Sequence, residues 1–175
     1  METTKGIGKG LAVLRVALGF GFLYAGLDKV VHFDGTTKAF SAAGFLKGAS
    51  AGTLPGAAEG AIVNPTHDLW VALAGNAAAM SVVNNLVVFG EVAIGIALIL
   101  GLATRFAGAM GALMMGLFWV ANWDFAHGMV NEQFLYGIVA GFIAYAAPVQ
   151  AYALDSILER TAIVKRTPAL RAVIG

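Results

Sequence analysis

The segment LVVFGEVAIGIALILGLATR, residues 86–105, decides the class of this protein, because it holds one carboxylate, Glu91, among otherwise apolar residues. A helix of this length and composition crosses the ~30 Å hydrocarbon core of a bilayer. A carboxylate at that depth is costly unless it has a partner or a task. Asn84, Glu91, Gly95 and Leu98 recur at helical spacing, so they share one face, which is predicted to look into a bundle.

Composition agrees with this reading. The 175 residues are 59% hydrophobic and 12% charged, with 23 glycines, which does not describe a water-soluble domain of this size. Length predicts one domain over residues 1–175. A net charge of +1 without a long basic run argues against nucleic acid. With no cysteine, the chain forms no disulfide, runs no thiol redox chemistry and binds no iron–sulfur cluster through thiolates. METTKGIGKG is too polar for a signal-peptide core, so the apolar block after it is read as retained.

Working outward, the pattern predicts an all-α integral membrane protein. It is a four-transmembrane-helix bundle with spans at about 11–31, 81–102, 106–123 and 134–152. On the first span Arg15, Gly19, Phe22, Gly26 and Lys29 line one face, glycines allowing close helix approach. Gly108, Ala112 and Gly116 form a small-residue stripe on the third span, and Gly137–Gly141 a matching step on the fourth. A long outer loop from His32 to about Met80 carries two short interfacial helices, at Thr37–Lys47 and Leu69–Met80. Trp70, Trp119 and Trp123 suit the membrane interface. The tail, 154–175, is amphipathic and basic, with Pro168 ending its first helix.

Lys5, Lys9, Arg105, Arg160, Lys165, Arg166 and Arg171 fall on one side of these spans, and Lys29, Lys38 and Lys47 on the other. That bias predicts a multi-pass protein of the cell membrane with both termini in the cytoplasm.

Arg15 and Glu91 are the candidate catalytic pair, facing each other across the first two spans. The plain alternative is an ion pair that fixes helix register. The functional alternative is proton exchange with a lipophilic redox carrier, since a quinone takes up two protons with its two electrons. Arg15, Lys29, Asn84, Glu91 and Trp123 are the candidate quinone-binding residues, the donors among them meeting its carbonyls. His32, His67 and His127 all fall in outer segments, each near an aspartate (Asp34, Asp68 and Asp124), which opens the possibility of an outward metal site. Their spacing matches no metal motif, and loop hydrogen bonding is the plain reading. No haem is expected.

Arg15, Leu18-Gly19, Phe22 to Gly26 and Lys29, followed by Gly90-Glu91 and Gly95 to Arg105, resemble the DoxX/DoxD family of small four-helix membrane proteins. Asn131 and Leu154-Asp155 resemble family positions too. The resemblance implies, for its DoxD-like branch, the membrane subunit of a thiosulfate:quinone oxidoreductase working with further membrane or extracytoplasmic subunits. A different class of function remains open: a non-catalytic accessory subunit that stabilises a larger complex through Leu69–Met80 and Asn122–Gln133.

Overall fold

The computed structural model describes residues 2–31, 40–51, 64–122, 129–161, 164 and 166–174. The described elements are all helical: α1 (Glu2–Asp28), α2 (Ala43–Ala49), α3 (His67–Gly75), α4 (Ala77–Leu100), α5 (Thr104–Asn122), α6 (Glu132–Tyr145), a 3-10 turn (Ala147–Val149), α7 (Asp155–Leu158) and α8 (Pro168–Ile174). Three are long and apolar enough to cross a membrane: Gly6–Asp28 within α1, α4 and α5. Phe20, Leu86, Phe89, Leu113 and Phe142 stand exposed on the helices, a surface that hydrocarbon accepts and water does not.

The apolar pattern places the helices and their caps set the ends. Asn76, extended, accepts from Ala79 N–H and starts α4, so the single helix predicted over Leu69–Met80 is instead two elements with a break at Asn76. Gly101 ends α4 in the left-handed region (φ 66°). The break between the spans predicted at 81–102 and 106–123 lies over Gly101–Ala103, and Thr104 and Arg105 are already helical. Asn131 caps α6 through Phe134 N–H. α6 then stops at Tyr145, seven residues short of the predicted 152, because Pro148 turns the chain through the 3-10 segment. At ~21 Å, α6 is shorter than the ~30 Å core. Of the predicted Thr37–Lys47 helix, Phe40 and Ser41 are non-helical and helix begins at Ala43; residues 37–39 lie outside the described residues. In the tail, Val164 and Arg166 are helical and Thr167 is not, so helix breaks just before Pro168, which then opens α8, its fixed φ suiting a first turn.

α1 runs antiparallel to α4, and α5 packs along α6; α4 and α5, though joined by a short turn, meet over much less of their length. The α1–α4 approach is backbone on backbone. A Cβ on Gly95 would lie 2.6 Å from Leu23 N, so only glycine fits there. On α5, Gly108 lies against Ala140 and Ala144 of α6, and Cβ atoms on Gly137 and Gly141 would come within 4 Å of Ala112, the former of Gly116 N as well, so the predicted stripe meets the predicted step, although a Cβ on Gly116 itself would face open space. Leu18, Phe22, Ile94, Leu98, Met115 and Ile143 fill the core between these four helices. A second cluster, Ala42, Leu46, Met80 and Ala121 with Trp70 and Leu73, seats α2 and α3 over one end. That end is called distal below; the end with the start of α1 and the α4–α5 turn is proximal.

Candidate functional site

The inward faces predicted for the first two spans form as expected, but the register of α1 on α4 decides which charges meet. Gly26 lies against Glu91 and Val92, and Gly19 against Gly95 and Ile99. Glu91 is therefore level with the end of α1, where Lys29 stands. Lys29 Nζ is 2.7 Å from Glu91 Oε2 and 2.9 Å from Oε1, and donates also to Ala25 O at 3.1 Å. The Glu91 side chain is 3% exposed and that of Lys29 22%, so the pair is reachable only through the lysine. The Phe40 ring sits 5.6 Å from Nζ, a cation–π contact just before α2. Asn84, on the same face of α4, accepts from Ala42 N–H at 2.9 Å and so pins the start of α2 at this end.

Arg15 does not reach Glu91. A Cβ on Gly101 would touch Arg15 Nη1, so the guanidinium lies level with the α4–α5 turn, ten residues or ~15 Å from Glu91 along α4. The pairing expected between them across the first two spans would need a register that the glycine contacts do not allow. Arg15, 1% exposed, donates to Gln150 Oε1 (3.1 Å) and Tyr152 O (3.0 Å), while its Nε finds no acceptor among the described residues. Gln150 in turn donates to Ile143 O. Asp155 supplies the nearby negative charge. Its two oxygens accept from Ala103 and Thr104 N–H, both at 2.7 Å, and cap α5.

The structure thus splits the candidates. Lys29, Asn84 and Glu91 gather at the distal end, and Arg15 belongs to a proximal cluster. Gln150 was missed, having no motif to mark it. Asp155 carried a signal, in the Leu154-Asp155 step that resembles family positions.

Trp123, His32, His127 and Asp124 lie outside the described residues. His67 Nδ1 is 2.9 Å from Ser50 Oγ, which donates to Leu46 O, an ordinary bond between α2 and α3. No group of three metal-ligating side chains occurs among the described residues. Between α4 and α5 runs an apolar cleft of about 690 Å³, and none of the described candidates lines it.

One member of each charge cluster, Arg15 on α1 and Lys29 just after its end, lies within the part of the chain that a family model matches. Residues 10–62 match the DoxX family model. The DoxX resemblance read from the residues thus holds over the first span and the segment after it. The DoxX-matching segment includes Arg15, Gly19, Phe22, Gly26 and Lys29, the face predicted to look inward. No curated protein and no solved structure matches the chain.

Proposed function

We propose that this DoxX-like chain is a quinone-interacting membrane subunit of a respiratory or sulfur-oxidising complex of the thiosulfate:quinone oxidoreductase kind. The carrier's head group would meet the distal end, beneath Phe40. The observation that carries the reading is the Lys29–Glu91 pair, a buried carboxylate whose ammonium partner keeps a partly open path. A quinone taking up two electrons needs two protons, and an acid–ammonium pair can pass a proton to an oxygen brought within reach of Lys29. Asn84 Nδ2 donates to no described residue, which leaves it free for a carbonyl. Electrons would come from the substrate or from a partner subunit's cofactor.

A second reading is favoured by a specific fact: Lys29 is already engaged, donating to Glu91 Oε1 and Ala25 O with Glu91 Oε2 at 2.7 Å as its ion-pair contact. On that reading the pair fixes helix register, and the chain is an accessory subunit. In the complex purified from its own membranes, Glu91→Gln is expected to lower quinone turnover at least tenfold while subunit stoichiometry on native gels stays intact. Unchanged turnover with lost assembly would establish the accessory role instead.

The proposed topology has α6 as the fourth crossing, thinned at Pro148, in the cell membrane with both termini in the cytoplasm. With no cysteine in the chain, single reporters are clean. Gly10→Cys should react with a membrane-impermeant maleimide only after cells are opened, and Lys47→Cys in intact cells; the reverse pattern inverts the topology.

A further inference from the structure

Lys29 and Glu91 are distal to Arg15, yet they do not stand at the distal surface. Glu91 is fourteen residues from Ala77 and nine from Leu100, about 21 Å and about 14 Å along α4. Since α4 is ~36 Å long against a hydrocarbon core of ~30 Å, the pair sits at least ~15 Å from the distal boundary of that core. Charged groups at such depth face a bundle interior or a water-filled cavity.

The two sides of the pair are built differently. On the proximal side α1 and α4 touch backbone to backbone: a Cβ on Gly26 would lie 3.0 Å from Val92 N, and one on Gly95 2.6 Å from Leu23 N, which leaves water no room. Leu98 and Ile143, both fully buried, and Arg15 close that side further. On the distal side α1 has already ended, at Asp28. Its place beside α4 is taken by non-helical chain, for Phe40 lies 5.6 Å from Lys29 Nζ and Ala42 N–H bonds Asn84 Oδ1. Asn84, seven residues from Ala77, is itself at least ~4 Å inside the hydrocarbon boundary. Non-helical backbone at membrane depth is tolerated only where protein buries it or water reaches it. Here Ser41 is exposed and the Lys29 ammonium partly so, and hydrocarbon accepts neither a hydroxyl nor a charge, which leaves water. Lys29 Nζ and Asn84 Nδ2, the latter donating to no described residue, give that water polar partners.

We infer that a water-filled vestibule enters from the distal face, follows α4 past Asn84 and Val88, and ends on the Lys29–Glu91 pair. Val88 is the step between them, half-buried on the face that helical spacing gives to Asn84 and Glu91. The pair thereby exchanges protons with the distal aqueous phase and not with the proximal one. Under the proposed function, a carrier reduced at Lys29 would draw its protons from the distal compartment. The vestibule itself follows from helix register and depth, whatever the pair protonates.

The test is cysteine accessibility in membrane vesicles, since the chain has no cysteine of its own. The distal side is the one from which Lys47→Cys, exposed on α2, reacts, so an inverted topology does not disturb the result. A charged, membrane-impermeant methanethiosulfonate added there should modify Val88→Cys at least tenfold faster than Phe89→Cys, because a thiol ionises in water and not in hydrocarbon. Phe89 stands at nearly the same depth on the outward face of α4. Added from the proximal side, the reagent should leave both unmodified. Asn84→Cys, one turn nearer the mouth, should react at least as fast as Val88→Cys, and it keeps the test decisive if Val88→Cys misfolds. Equal rates at Val88→Cys and Phe89→Cys, no reaction at either vestibule position, or reaction from the proximal side would each overturn the vestibule. Quinone turnover in Glu91→Gln, by contrast, reports on the carrier alone.

Discussion

Replacing Asp155 by alanine is expected to cost about 3–5 kcal/mol, the scale for removing one member of a buried charged network. Two effects add. Ala103 and Thr104 N–H, each 2.7 Å from a carboxylate oxygen, lose their acceptor at the buried start of α5. Arg15, 1% exposed, loses its nearby counter-charge and keeps only the neutral acceptors Gln150 and Tyr152 O. Arg15→Met should cost less, because Asp155 would still be held by two N–H groups and the N-terminal dipole of α5. Thermal unfolding in detergent checks the order: on the scaling for domains of this size, Asp155→Ala should lower Tm by about 10 °C. A larger loss in Arg15→Met would show that the guanidinium, not the carboxylate, organises the proximal end.

That end is where the chain is tied together. Ala151 N–H bonds Gly8 O, Leu154 N–H bonds Leu100 O and Asp155 N–H bonds Gly101 O, so the segment after α6 is stitched to both ends of the α1–α4 pair's proximal face and to the first turn of α5. Ala103 and Tyr152 hold left-handed backbone here (φ 48° and 55°), a strain of order 1–3 kcal/mol each that these bonds must offset.

Lys29→Leu alone is the second large effect, about 3–5 kcal/mol, because it strands a carboxylate that is 3% exposed. Lys29→Leu with Glu91→Leu should recover most of that loss, since apolar side chains of similar size replace a buried pair at little cost. The double-mutant cycle should therefore give a coupling of at least about 2 kcal/mol. Additive losses would mean that the two side chains are stabilised separately. Whether the doubly substituted protein still turns over quinone is a separate question, which Glu91→Gln addresses by keeping an acceptor for Lys29.

Much of this architecture is legible in the residues. Periodicity marks the inward faces of α1 and α4 because helix geometry repeats every 3.6 residues whatever the surroundings. The buried set Arg15, Gly19, Phe22 and Gly26 is the face so predicted, as are Glu91, Gly95 and Leu98. Caps are less legible when they are not local. Asn76 and Asn131 cap their own helices and leave a signature in the chain, whereas α5 is capped by Asp155, about fifty residues on, and no local pattern announces that.

Composition, span length and the glycine spacing, then, determine by themselves an all-helical membrane protein with a carboxylate turned inward on α4, while the motifs of the first span carry its resemblance to DoxX. Tertiary structure alone decided the partners of the charges. Periodicity fixes the face a side chain occupies but not the axial register of one helix against another. That register was set by where Gly19, Gly26 and Gly95 let two backbones touch, and it carried Glu91 to Lys29 and Arg15 to the opposite end.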